Sequence, residues 1–334
     1  MMDRLRAGQA VQVGRSGLRV SPLCLGTMLF GTYLDEAASA AMLDEALGLG
    51  ISFLDLADRY PVPPRSEHFG RTEEIVGRWL RDRRQEFVVA TKFGGRVGAG
   101  ANDVGGSRKH VIEACEASLR RLGIDHIDLY WMHMPDLGTP IEETMEAVGH
   151  LQAAGKILYF GFSNVNAAQL SVALSESVEL RCAPRPVAIQ PRYNLLARTP
   201  EAQLLPLAMS SGLGVVPYNP LAGGMLGGQY RQGQPLPPSS RFADEYFAID
   251  RGHYLLDRAF PVVEGLADIA RQEDLTPAQA AVAWLLTRPG VSSVILGASR
   301  PGQLAQIVAG VRRGLSPGAL QRLDKLSDPS HWSP

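Results

Sequence analysis

Asp55, Tyr60, Lys92 and His133 stand at or just beyond the C-terminal ends of three short apolar runs, residues 51–54, 87–91 and 127–132. Each run has strand length and strand composition, and segments of helical period separate them. If the runs are parallel neighbours in one barrel, the four side chains meet at its mouth, where barrel enzymes keep their chemistry. A carboxylate, a phenol, an ammonium and an imidazole at one point form a proton-donating site for a carbonyl. A free phenol titrates near pH ~10. A lysine ammonium beside its oxygen lowers that value by favouring the phenolate. Asp55 can hold Lys92 in place, and His133 offers a substrate oxygen a second hydrogen bond. Hydride delivery to a carbonyl carbon creates an alkoxide, so an acid at the oxygen is the protein group this reaction most needs. Taken singly, each residue has a plainer reading: a helix cap, a loop aromatic, a solvated end charge, a structural histidine. Their position at the ends of consecutive strands is what makes them a candidate site.

The elements that would position them recur along the chain. A hairpin signal opens it, with Val11 and Val13 leading into Gly14-Arg15-Ser16-Gly17 and Leu18 and Val20 leading out. Strands are expected at residues 23–26, 51–54, 87–91, 127–132, 157–161, 187–190, 214–217 and 294–296. Helices are expected from Asp35 to Gly50, from an N-cap at Thr72, and from Ser107 to Gly123. Further helices should open at Thr139-Pro140, with proline in the first turn, and at Thr276-Pro277. Eight strand–helix alternations without a linker predict one closed (β/α)8 TIM barrel domain over residues 1–334, preceded by the hairpin. The main interruption, Gly223 to Arg251, is rich in Gly, Pro, Ser and Gln. It reads as a long structureless loop after strand seven, placed as a flap over the mouth. Residues 316–326 should form an appended C-terminal helix.

Composition excludes several classes of function. With 20% charged and 45% hydrophobic residues and a formal net charge of −1, the 334-residue chain carries no electrostatic footprint for nucleic acid or an anionic membrane. No apolar run is long enough to span a bilayer. The opening residues Met1 to Arg6 lack the apolar stretch of a signal peptide. Cys24, Cys115 and Cys182 are too few and too scattered for a disulfide framework or a zinc site, so no metal is expected and a cytoplasmic location is. No G-x-G-x-x-G stands between a strand and a helix, so any dinucleotide must be held by other means.

The ordered segments 53–60 (Phe-Leu-Asp-Leu-Ala-Asp-Arg-Tyr), 90–94 (Ala-Thr-Lys-Phe-Gly) and 128–133 (Asp-Leu-Tyr-Trp-Met-His) carry a family likeness, as do 161–164 (Gly-Phe-Ser-Asn), 190–196, 217–224 and 297–299. From about Val11 to about Leu326 the chain resembles the aldo-keto reductase superfamily, in particular bacterial NADP-dependent oxidoreductases and the branch that includes potassium-channel β-subunits. The resemblance implies NADPH-dependent carbonyl reduction on a (β/α)8 barrel, with Asp55, Tyr60, Lys92 and His133 as a catalytic tetrad and Asp55 also bordering the cofactor. It implies that Ser163, Asn164 and Gln190 hold the nicotinamide carboxamide and that Tyr218 stacks on the ring. Gly26 and Thr27 would line the site. Asn219, Pro220, Leu221 and Gly223 would begin the flap over the pyrophosphate, with Ser240 and Arg241 closing it. Gly297, Ser299, Arg300 and Gln303 would hold the adenosine end, with Arg300 and the backbone donors of the following helix reading a 2′-phosphate.

Three departures from the family pattern stand out. Gln229 replaces a flap lysine, and Gln306 and Ile307 replace an adenine-binding Glu and Asn; each change should weaken cofactor binding. A stiff loop, Pro61 to Gly70, replaces the usual short glycine turn beside the substrate pocket. The expected partner is a small-molecule carbonyl substrate, an aldehyde, ketone or sugar-like compound, and a nucleotide-linked deoxysugar intermediate is an alternative. Two further readings stay open. An NADP-binding regulatory subunit would be expected to bring a long N-terminal arm or basic tail, which the sequence lacks. A Schiff-base aldolase would use Lys92 as nucleophile, but it would have no nicotinamide for Ser163, Asn164 and Gln190 to hold.

Overall fold

A computed structural model describes residues 9–179 and 184–332; Met1 to Arg6 and Cys182 lie outside the described residues. The hairpin strands β1 (Val11–Gln12) and β2 (Arg19–Val20) pair antiparallel, Val11 opposite Val20. Eight parallel strands follow: β3 (Leu23–Gly26), β4 (Phe53–Asp55), β5 (Val88–Phe93), β6 (Ile127–Met132), β7 (Ile157–Ser163), β8 (Ala188–Gln190), β9 (Gly214–Val215) and β10 (Val294–Gly297). They pair in the order β10-β3-β4-β5-β6-β7-β8-β9. The remaining seam is joined by Val215 N–H to the Gly290 carbonyl at 2.9 Å, Ser292 N–H to the Val215 carbonyl at 2.8 Å and Ile295 N–H to the Pro217 carbonyl at 3.0 Å. The fold is therefore the expected (β/α)8 TIM barrel with an N-terminal hairpin.

The pleat sorts the strand residues into two cores. Leu25, Leu54, Val89, Tyr130, Phe160, Phe162, Ile189, Val215 and Leu296 face the surrounding helices. Their sequence neighbours Cys24, Phe53, Ala90, Leu129, Trp131, Ala188, Val216 and Ile295 fill the barrel interior. Val13, Leu18 and Val20 of the hairpin join that inner cluster and plug the end opposite the mouth. The hairpin is seated by Arg15 N–H on the Gly212 carbonyl at 2.8 Å, an approach that leaves no space at Gly14, where a Cβ would fall 2.3 Å from that oxygen. Gly161 serves Trp131 in the same way, since a Cβ there would stand 2.4 Å from the indole.

The outer layer contains α1 (Glu36–Gly48), α2 (Arg71–Leu80), α3 (Arg108–Leu122), α4 (Ile141–Ala153), α5 (Ala167–Glu179), α6 (Leu204–Ser210), α7 (Ala248–Tyr254), α8 (Phe260–Gln272), α9 (Pro277–Leu286), α10 (Gln303–Arg313) and α11 (Pro317–Leu326). Asp35, Ser107, Thr276 and Ser316 cap α1, α3, α9 and α11 as expected. Two helix starts differ from expectation. Pro140 is the N-cap residue of α4, one position before the first turn. Thr72 lies inside α2, and its hydroxyl donates to the Phe30 carbonyl at 2.8 Å; Gly70, at φ 81°, takes the cap position because the chain turns there.

The segment after β9 corrects a larger expectation. It is an ordered strap of short 3-10 turns at Ala222–Gly227, Arg241–Ala243 and Glu245–Phe247 leading into α7, not a structureless loop. Its glycines hid an apolar set, Met225, Leu226, Tyr230, Phe242, Phe247 and Tyr254, all buried. Tyr230 and Phe242 stack at 4.7 Å, and burial of such rings is enough to order a segment of this length. Among the described residues no helix is long and apolar enough to cross a membrane.

Candidate active site

The four sequence-selected residues do meet at the C-terminal end of the barrel. Asp55 is the last residue of β4, and Lys92 lies in β5, which runs two residues further than expected. Lys92 is 1% exposed and Asp55 3%. An ammonium at that depth must have partners. Its Nζ donates to Asp55 Oδ2 at 2.5 Å, to the Leu56 carbonyl at 2.7 Å and towards the Tyr60 hydroxyl at 3.4 Å. All three of its protons are thereby directed. Burial alone would pull the Lys92 pKa down, but Asp55 and Tyr60 outweigh it and the value rises, so the ammonium stays charged.

Tyr60 stands half-buried at the mouth, its ring edge-on to His133 with centroids 5.9 Å apart. Its pKa lies above the usual tyrosine range, contrary to the sequence expectation. Burial is the larger influence and raises it; Lys92 pulls it down without overcoming that burial. The phenol is thus kept as a proton carrier. His133 is driven well below its ordinary value, first by burial and then by the Lys92 and Arg59 charges, so its imidazole is neutral. Its Nδ1 is buried without a partner.

A second group of expected residues adjoins this one. Gln190, at the end of β8, donates from Nε2 to Asp55 Oδ1 at 2.9 Å. Asp55 therefore holds Lys92 with one oxygen and Gln190 with the other. Ser163 donates to the Gln190 carbonyl at 3.0 Å. Asn164, at φ 59°, donates to the His133 carbonyl at 2.8 Å and accepts from the Tyr218 hydroxyl at 2.7 Å. Arg192 donates to that hydroxyl at 3.4 Å, fixing the Tyr218 ring at the mouth. Thr27, after Gly26 of β3, is wholly buried and donates through Oγ1 to the Asp55 carbonyl at 3.0 Å, bracing the strand end that carries Asp55.

The strap begins at Asn219, whose Oδ1 accepts Gly223 N–H at 2.9 Å, with Pro220 buried and Leu221 packed on the core. Its far end is pinned by Asp250, which pairs with Arg192 at 3.2 Å through one oxygen and Arg241 at 3.1 Å through the other. Arg241 also lies over the Phe247 ring at 4.1 Å. Arg192 and Asp250 had no role in the sequence reading, because a salt bridge 58 positions apart leaves no local signal. Ser240 Oγ and Arg241 Nε are buried without partners. Two unfilled donors beneath a glycine-rich turn suit the phosphates of a dinucleotide, and the amide group at Ser163, Asn164 and Gln190 beside an anchored Tyr218 suits a nicotinamide.

The residues after β10 are arranged differently from expectation. Gly297, Ser299 and Arg300 are exposed at the end of the strand. Gln303 Oε1 accepts from Ser299 N–H at 2.8 Å. The N-terminus of α10 is not a free set of donors: Glu45 of α1 accepts from Gly302 N–H at 3.0 Å and Ala305 N–H at 3.1 Å. A carboxylate from another element thus occupies the helix start, where negative charge is favourable. The Ser299 hydroxyl also donates to Gln303 Oε1, at 3.4 Å, so of the expected phosphate contacts the exposed Arg300 guanidinium remains available. Gln229 is exposed, the Gln306 carbonyl accepts from Gln279 at 2.7 Å, and Ile307 packs against the core.

The chain matches the model of the aldo/keto reductase family over residues 22–328. It is 40% identical over 304 residues to a probable voltage-gated potassium channel subunit beta of Oryza sativa subsp. japonica, with 89% of each chain covered. It is 36% identical over 321 residues to the uncharacterized oxidoreductase YrpG of Bacillus subtilis, with 94% of each covered. It is 35% identical over 305 residues to the L-glyceraldehyde 3-phosphate reductase of Escherichia coli, covering 88% of this chain and 85% of the relative. A barrel with this mouth and these relatives belongs to the aldo/keto reductase family.

Proposed function

We propose that the chain is one barrel domain that reduces an aldehyde, ketone or sugar-like carbonyl to an alcohol with NADPH in the cytoplasm, Tyr60 supplying the proton. One observation carries this reading: a charged Lys92, locked by Asp55, reaches the hydroxyl of a phenol at the barrel mouth. Ser163, Asn164 and Gln190 would hold the nicotinamide amide, Tyr218 its ring, and Asn219 to Gly223 with Ser240 and Arg241 the phosphates. Ser299, Arg300 and Gln303 would hold the adenosine end. When bound, the nicotinamide supplies the hydride.

The protein's own part is to place and protonate the carbonyl oxygen. Tyr60 donates its proton to that oxygen as negative charge develops, and the Lys92 charge stabilises the phenolate left behind. Neutral His133, edge-on to Tyr60, orients the oxygen. A Lys92 held charged by two acceptors and a phenol has no lone pair for imine formation, which counts against the aldolase reading. The test is NADPH consumption across a panel of aldehydes and ketones. Turnover is expected with simple aldehydes; binding of NADPH with no turnover of any carbonyl would favour the second reading, an NADP-binding regulatory subunit, the 40%-identical plant relative being named a probable channel subunit.

A further inference from the structure

We propose that Arg59 selects substrates in which the carbonyl compound also carries an anionic group, a carboxylate or a phosphate. This inference rests on the reductase reading above and narrows its substrate class.

Arg59 immediately precedes Tyr60 and is half-buried beside it. Its stem crosses Gly95, just beyond β5: a Cβ on that glycine would lie 2.5 Å from Arg59 Cδ, so the glycine makes room for this side chain. Its charge acts on three groups of the mouth, Tyr60, His133 and Tyr246. Yet among the described residues the guanidinium has neither an ion pair nor a hydrogen bond. Its nitrogens are also not sealed in the interior.

Other partly buried arginines are committed. Arg192 and Arg241 share Asp250, Arg121 holds Glu73 and Arg84 holds Asp128. Among the described residues no acid pairs with Arg59. Asp55 is taken by Lys92 and Gln190, and Asp244 by Tyr33 and the Tyr246 N–H. Asp58 is buried without a side-chain partner and its pKa is pushed well up, first by burial and then by Glu73, although Arg121 and Arg59 pull it down. Lys92 and Asp55 cancel, His133 is neutral, Arg192 and Arg241 share the one charge of Asp250, and Arg59 adds a positive charge with no paired acid. A guanidinium presents a planar fork that matches a carboxylate or phosphate.

The experiment compares matched pairs with NADPH: 4-oxobutanoate against butanal, and glyceraldehyde 3-phosphate against glyceraldehyde. The wild type should favour the anionic member of at least one pair, through KM more than kcat, and the preference should shrink as salt rises. Arg59→Gln should lower the anionic-to-neutral ratio of kcat/KM by roughly 10- to 100-fold, Arg59→Lys by less. Gly95→Ala, which crowds the same stem, should move the ratio in the same direction. A wild type that prefers the neutral members, or a ratio that Arg59→Gln leaves in place, overturns the proposal. If no carbonyl is turned over, the reductase reading fails separately. Calorimetric titration of succinate then decides: binding that Arg59→Gln abolishes supports the anion site, and equal or absent binding in both proteins refutes it.

Discussion

The two halves of the mouth are built on different principles. At the tetrad end, Asp55, Lys92, Ser163 and Gln190 belong to strands, are almost fully buried, and bond to one another with little left over. At the strap end, Ser240 and Arg241 sit part-exposed on short turns with unfilled donors, and Ser299 and Arg300 sit exposed beyond a strand. The first half is set by its own bonds; the second, on the proposed reading, would gain contacts from the cofactor. Strand ends give positional precision, whereas short turns give access and adjustment.

The largest expected effect lies at the rigid end. Lys92→Met should cut turnover by about 10²–10⁴-fold. The sign of its pH effect follows from the opposing influences on Tyr60. Burial already holds the phenol above its usual value, and Lys92 is what limits the rise. Alcohol oxidation needs the phenolate, so its rate should climb with pH, and the variant's rise should move to still higher pH. Reduction needs the protonated phenol and should hold through mildly alkaline pH in the wild type. Asp55→Ala should cost about 3–5 kcal/mol of stability, read in urea unfolding, because it leaves Lys92 buried and unpaired. Tolerance of either change would mean that this half is not preorganised.

Asp250→Ala comes next and tests the adjustable half. It releases Arg192 and Arg241 together, so NADPH affinity should fall roughly 10-fold or more while the tetrad geometry persists. The strap between Gly223 and Arg251 should become more open to limited proteolysis, and NADPH should protect it less than in the wild type. Unchanged affinity and protection would detach the strap from cofactor binding.

The smallest effect is expected beyond β10. Arg300→Ala should reduce the NADPH-to-NADH affinity ratio several-fold, since the Arg300 guanidinium is exposed and can fork onto a phosphate. Glu45→Gln should raise the same ratio slightly by removing a negative charge from the start of α10. Opposite signs for the two variants would support the arrangement, and equal signs would contradict it.

What was legible in the sequence follows the same division. Strand periods located β3 to β10 closely, because two buried faces demand an apolar run and its end is marked by a polar residue. The meeting of Asp55, Lys92 and His133 could be read for that reason, whereas Gln190 rested on the family likeness. The order of the strap could not, since its buried rings lie scattered among Gly and Pro without a period. Thr72 read as a cap because a threonine before two acids carries that signal, but a long-range acceptor at Phe30 won. Glu45, Arg192 and Asp250 act across the fold, and pairing at such separations leaves no trace in spacing. The Tyr60 expectation erred in weight: the Lys92 charge acts in the stated direction, but burial acts more strongly.

The most direct test of the central claim is Tyr60→Phe, which removes one oxygen from the preorganised half and nothing from the other. NADPH affinity is measured by fluorescence titration and aldehyde reduction by single-turnover absorbance. The account predicts affinity within a few-fold of the wild type and a reduction rate lower by about 10²–10⁴-fold. A variant that binds NADPH and reduces aldehydes at a near-normal rate would contradict it, because Tyr60 would then not be the proton donor.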